Sequence, residues 1–183
     1  MSTITFKWQG NGIARLTAAM EKLEGPRKRK ALRRALNHTG DKTFTIVRRV
    51  LAKQMGLTQG DLMRRGLSKR RANESSMTYE IIGRGGFIPL KDFRARQGAR
   101  GVSAAPWGER RMFKSTFIVP SLGGNVFKRA GRKRLPIEKL WGPAIPRELV
   151  KDATAQAFQA TVAASLVPRV EHEVRVLTDG VVS

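Results

Sequence analysis

Only one kind of chemistry-bearing side chain is abundant in this sequence, the kind that grips phosphates. Proton shuttles and metal ligands are scarce. The two histidines, His38 and His172, each fall inside a helical pattern with no HExxH or similar ligand spacing around them, so both read as surface or interface packing. Residues 84 to 134 contain only two carboxylates, Asp92 and Glu109, too few for the clustered acids that hold metal ions in nucleases and polymerases. No phosphate-binding P-loop is present, and Gly83-Arg-Gly-Gly86 is too short for a nucleotide fingerprint and reads as a turn. The absence of cysteine excludes disulfide scaffolds, thiolate metal sites and cysteine nucleophiles. The sequence therefore predicts no enzyme, no metal and no cofactor.

Positive charge is what remains. Thirty-six Lys and Arg against 14 Asp and Glu give a formal charge of +22. Residues 27 to 71 hold 15 basic and two acidic side chains, residues 84 to 134 hold 13 and two, and residues 135 to 183 hold five and six. Such a distribution lets a polyanion meet one part of the molecule while a near-neutral part packs against protein, because cations near phosphates release counterions and bind without regard to sequence.

Three basic groups are candidates for that contact. Arg27, Lys28, Arg29, Lys30, Arg33 and Arg34 crowd the start of a helix, where the dipole disfavours positive charge, and read either as a phosphate or acidic-partner contact or as a solvated face. Arg94, Arg96 and Arg100 lie on a Gly-containing stretch with almost nothing apolar to bury. Lys128, Arg129, Arg132, Lys133 and Arg134 surround Gly131. Flexible basic arms commonly reach a phosphate backbone or an acidic neighbour, so Arg94, Arg96, Arg100, Arg132, Lys133 and Arg134 form the primary candidate set. With no cysteine for a zinc finger and no sustained heptad for a basic zipper, sequence-specific reading of DNA is not indicated. Trp107, Phe113, Phe117 and Trp141 are the candidate subunit-interface anchors.

The elements that must carry these groups can be read from periodicity. Ile4, Phe6 and Trp8 alternate as in a half-buried strand, and Ile13 to Leu23 shows the spacing of a short amphipathic helix. From Arg27 to about Gln54, Ala31, Leu32, Ala35, Leu36, Thr39, Thr43, Ile46, Val47, Val50 and Leu51 recur at helical spacing. Gly40 interrupts that pattern at a cost of about 1 kcal/mol unless a close neighbour explains it. Thr58 is placed to cap a helical turn through Leu62 and Met63. Strands are predicted at Met77 to Ile82, Met112 to Val119, Asn125 to Arg129 and Ile137 to Leu140, with Pro120 to Gly124 as a hairpin loop. A second long helix begins at Pro146, rich in Ala, and Pro168 is expected to kink or interrupt it.

The length of 183 residues suits one domain spanning 1–183, with a flexible basic arm at about 91–108. The expected class is α+β, two long helices packed on a small, mainly antiparallel sheet with extended basic loops. No apolar run approaches the ~20 residues that span a bilayer, and the N-terminus lacks a signal-peptide pattern, so the chain is expected to be soluble and made in the cytoplasm.

A discontinuous set of residues carries a family resemblance. It comprises Ala35-Leu-Asn37 with Gly40 and Arg48-Arg49, Phe93-Arg-Ala-Arg96, Gly101-Val-Ser-Ala104 and Pro106-Trp-Gly108. Phe113, Phe117-Ile118, Val126-Phe127-Lys-Arg129, Leu135-Pro-Ile137, Gly142-Pro-Ala-Ile-Pro146, Pro168-Arg169 and His172-Glu173 complete it. In order and spacing, over roughly residues 31 to 177, the chain resembles the minor tail protein Z family of tailed bacteriophages and prophages.

The resemblance implies a structural virion protein of the tail neck, with a compact α+β fold and no catalytic residues. It implies a homo-oligomeric ring, expected to be a hexamer, that joins the tail terminator or tail tube protein to the head-connector or head-completion protein. Genomic DNA would pass through the channel without sequence recognition, and no membrane is involved. The alternative is a free nucleic-acid-binding protein, histone-like or ribosome-associated, motivated by the same charge.

Overall fold

One long helix, α1 (Gly25–Met55), runs through both cores of the molecule. The structure is a computed structural model and describes residues 4–5 and 25–177. The predicted strand through Trp8 is described only at Ile4–Thr5, and the predicted helix from Ile13 to Leu23 lies outside the described residues. Along α1 the buried positions Ala31, Ala35, Thr39, Thr43, Val47, Leu51 and Met55 form the single apolar stripe that the periodicity predicts. A capping box follows, with Thr58 Oγ1 accepting from the Asp61 N–H at 3.1 Å and the Asp61 carboxylate accepting from the Thr58 N–H at 3.3 Å, which starts α2 (Gln59–Arg64) as expected.

All eleven strands in the described residues are short and antiparallel. β1 (Ile4–Thr5), β3 (Glu80–Gly83) and β2 (Leu67–Arg70) form one sheet in the order β1-β3-β2. β5 (Arg96–Gly98), β6 (Gly101–Ala104) and β7 (Arg111–Lys114) form a second. β8 (Thr116–Val119), β9 (Asn125–Arg129) and β10 (Ile137–Lys139) form a third in the order β10-β9-β8. β4 (Phe87–Pro89) pairs with β11 (Trp141–Ala144), after which come α3 (Ile145–Leu149) and α4 (Asp152–Leu177). The α+β class holds, with four small sheets in place of one.

Two apolar clusters share α1. The larger joins Phe44, Val47, Leu51 and Met55 to Leu62, Leu67, Ile81, Ile88, Leu90, Phe93, Val102, Val126, Ile145 and Leu149, so each of the four sheets contributes to it. The smaller joins Ala31 and Ala35 to Val162, Leu166, Val170 and Val174 of α4. Contacts of Arg34 with Glu173, Lys42 with Ser165 and Gln54 with Thr154 climb α1 while descending α4, so the two helices are antiparallel. Alanines on α1 permit that close approach.

Four expectations need correction. The stretch 91–108, expected as a flexible basic arm, is folded: it contains β5 and β6, and Phe93, Val102 and Ala104 are fully buried within it. The predicted strand Met112 to Val119 is two strands in different sheets, divided at Ser115, whose φ of +59° turns the chain. The helix expected from Pro146 is broken after Leu149, and α4 starts at Asp152 with φ +47°. α4 then continues through Pro168 without interruption. Pro168 and Ala164 lie on the exposed side, where solvent can take the bond that the Pro168 nitrogen cannot donate to the preceding turn.

Candidate polyanion-contact site

Folding brings Arg100, one member of the primary basic set, into a groove with Arg129, while Arg94, Arg96, Arg132, Lys133 and Arg134 are outside its lining. Arg100 and Gly101 at the β5–β6 turn, Phe117 on β8, and Arg129 and Gly131 at the end of β9 line a hollow of about 480 Å³. Arg132, Lys133 and Arg134 continue from its rim as exposed residues of the β9–β10 connection. Arg96 stands on β5 opposite Ser103, and Arg94 precedes it with φ +55°. Arg110 holds that strained turn by donating to the Arg94 carbonyl at 3.2 Å and to Ser103 Oγ at 3.0 Å.

The floor of the groove is cross-tied. Gln97 Oε1 accepts from the Ile118 N–H at 2.9 Å, linking β5 to β8, and its Nε2 donates to the Gly98 carbonyl at 3.0 Å. Thr116 Oγ1 accepts from the Val102 N–H at 3.0 Å and donates to the Phe113 carbonyl at 2.6 Å, linking β6 to β8. The Arg129 guanidinium lies 5.6 Å from the centroid of the Phe117 ring. Cations therefore project from a fixed frame.

Their charge is uncompensated within the described residues. Arg94, Arg96, Arg100, Arg132, Lys133 and Arg134 are all exposed, and none forms an ion pair with a described residue. The two acids of this region are already engaged, Asp92 by Arg65 at 3.0 Å and Glu109 by Arg111 at 2.9 Å. Repulsion among such cations is relieved when an anion binds. No cluster of three His, Asp or Glu able to hold a metal occurs among the described residues, and no described helix is long and apolar enough to cross a membrane.

The second basic patch lies elsewhere. Arg27, Lys28, Arg29, Lys30, Arg33 and Arg34 occupy the first turns of α1, beside the smaller core. Arg33 pairs with Glu74 at 2.9 Å, and Arg34 approaches Glu173 at 3.8 Å, while Glu173 also accepts from Arg169 at 2.5 Å. His38 and His172 are both exposed, and His38 lines the hollow beside this patch.

Among the proposed interface anchors, Trp107 is 45 % exposed and Trp141 50 % exposed. Trp107, held at φ +58°, donates from Nε1 to Glu148 at 3.3 Å, and Lys139 Nζ sits 4.3 Å from the Trp141 ring centroid. Phe113 packs against the larger core, so it anchors the β6–β7 hairpin within the subunit. Phe117 is half-buried beneath Arg129.

Three side chains with central places in the structure carry no sequence signal of their own. Asp41 accepts from Lys69 at 2.5 Å, from Tyr79 at 2.9 Å and from Arg71. Burial of its carboxyl favours the neutral form, but the hydrogen bonds from Arg71, Lys69 and Tyr79 outweigh it and hold the pKa at about 2. The Tyr79 hydroxyl is pushed up, first by burial and then by its bond to Asp41. Glu148, only 6 % exposed, receives Gln54 at 3.1 Å and Trp107 at 3.3 Å. Each of these partnerships joins residues at least 28 positions apart, beyond the reach of local pattern.

Compared with protein-family models, with curated proteins and with solved structures, the chain has no match.

Proposed function

We propose that this chain is a structural, non-enzymatic neck or tail-completion protein of a tailed bacteriophage, assembled in the host cytoplasm and located in the virion. It closes into a homo-oligomeric ring, a hexamer, that joins the tail terminator or tail tube protein to the head-connector or head-completion protein. Genomic DNA passes through the ring and is contacted without sequence preference.

The observation that carries this reading is the convergence of Arg100 and Arg129 on one groove, with the exposed Arg132 to Arg134 following Gly131 of its lining, none of these cations having an acidic partner among the described residues. Repeating that groove around a closed ring would line a channel with positive charge. Ring closure needs one patch to bind a different patch on an identical neighbour, and the exposed Trp107 and Trp141 supply apolar anchors for such a contact. The ordered family resemblance over residues 31 to 177 supports the same assignment.

Imaging of assembled particles tests it. The Arg94, Arg96, Arg100 and Arg132 to Arg134 set should face DNA or an acidic neighbour. Finding it on the outer surface, away from both, would overturn the lumen assignment.

A second reading is a free nucleic-acid-binding protein, histone-like or ribosome-associated, favoured by the separate basic face on α1. It predicts tight, salt-sensitive DNA binding by the isolated subunit, with affinity falling steeply between low and moderate salt.

A further inference from the structure

The solvent side of α1 is the floor of a walled cationic groove. Two hollows, of about 720 and about 930 Å³, share Arg33 and so join along the helix. Their floor follows α1 from Pro26 to Thr45 at the three- and four-residue spacing of a single helical face, a span of about 28 Å at 1.5 Å per residue. Arg71 and Glu74 stand on one wall, and Arg169 and Glu173 on the other.

The floor carries Arg29, Lys30, Arg33, Arg34 and Lys42 against a single carboxylate, Asp41. All three acids of the groove are engaged from its sides or floor: Asp41 by Lys69 and Arg71, Glu74 by Arg33, and Glu173 by Arg34 and Arg169. Arg29, Lys30 and Lys42 form no ion pair with a described residue. Lys42 donates to Ser165 on α4 at 3.0 Å, which holds its ammonium over the groove.

We propose that this groove is a docking track for the phosphodiester backbone of a nucleic-acid duplex, gripped without sequence preference. From Arg29 to Lys42 the floor presents five cations over about 20 Å, a length of positive charge that suits the backbone of a duplex strand, which carries one phosphate per about 3.4 Å. Asn37, the amide side chain in the groove, is tied to the Ala72 backbone, donating from Nδ2 to its carbonyl at 2.9 Å and accepting from its N–H at 2.8 Å, so it serves the wall of the groove. The track is separate from the Arg100–Arg129 groove and does not rest on the ring assignment.

Fluorescence anisotropy of a labelled mixed-sequence DNA duplex with the full chain, titrated with salt, tests the proposal. The triple variant Arg29→Gln, Lys30→Gln, Lys42→Gln should lower the slope of log affinity against log salt by about 2 to 3, at roughly 0.9 per lost phosphate contact, and weaken binding at 0.1 M salt at least about tenfold. The single variant Lys30→Gln should lower the slope by about 0.9, with circular dichroism confirming that both variants are folded. An unchanged slope in the folded variants would overturn the track. So would displacement of the labelled duplex by polyglutamate at a lower charge concentration than by unlabelled duplex, since the groove would then serve an acidic protein.

Discussion

Tyr79 packs so closely on Gly40 that a Cβ at position 40 would lie 2.3 Å from its ring. The same ring carries its hydroxyl to Asp41, the next residue of α1, at 2.9 Å. A glycine in mid-helix therefore marks where the chain entering β3 is pressed against the helix, and the aspartate beside it fixes the pressed ring by its polar end. The conformational cost of Gly40 is exchanged for a contact that spans 39 positions of sequence.

Gly40→Ala raises helix propensity by about 1 kcal/mol, yet the methyl has no room without moving an aromatic ring. The variant should be less stable than the parent by about 1 to 2 kcal/mol in urea unfolding, the overpacking cost exceeding the propensity gain. A stabilised variant would show that the Tyr79 contact is loose.

Asp41 makes a second, pH-dependent prediction. Its folded pKa of about 2 lies below the ordinary value of 3.8, so its contribution is complete above about pH 4 and is lost as pH falls towards 2. The shift corresponds to about 2 kcal/mol. Between pH 5 and pH 2, Asp41→Asn should lose about 2 kcal/mol less stability than the parent, measured by denaturant unfolding at each pH. Parallel losses in the two proteins would remove Asp41 from the account.

Gln54 is the tie between the end of α1 and the start of α4. Its Nε2 donates to both the carboxylate and the carbonyl of Glu148 at 3.1 Å, and its Oε1 accepts from Thr154 Oγ1 at 2.8 Å and the Thr154 N–H at 3.2 Å. Gln54→Ala leaves the buried Glu148 with one fewer donor and the first turn of α4 without its cap. A loss of about 2 kcal/mol is expected in thermal or urea unfolding, with the helical circular dichroism signal retained.

The lumen set should separate function from folding. Replacing Arg100, Arg132, Lys133 and Arg134 by Gln removes four exposed cations that make no ion pair with a described residue, so unfolding free energy should change by less than about 0.5 kcal/mol. Particles assembled with this variant should nonetheless retain or deliver DNA less well than the parent, scored as infectious titre per assembled particle. Unaltered titre would argue against a charged channel at this groove.

Legibility in the sequence followed the range of the forces. α1, the Thr58 cap, the Pro120 to Gly124 connection and Asn125–Arg129 were readable because helical spacing, capping and turn residues act over a few positions. Arg94 to Gly101 looked unable to fold because it has little to bury. It is ordered by its neighbours: buried Phe93 and Val102 pin its ends and Gln97 ties it to β8. The break at Ser115 and the start of α4 at Asp152 depend on left-handed backbone at single non-glycine residues, which no spacing in the sequence announces. β4 and β11 were invisible because Trp141-Gly-Pro-Ala144 lacks any strand alternation, and its pairing is set by the core beneath. For the candidate site, the charge excess is plain in the sequence, while the convergence of Arg100 with Arg129 and the walls that Arg71 and Arg169 add to α1 exist only in three dimensions.

Native mass spectrometry of the purified full chain at tens of micromolar tests the ring most directly. Six copies of the 20.4 kDa subunit in one closed species is the predicted result. A chain that remains monomeric at that concentration would contradict the ring, and with it the neck assignment.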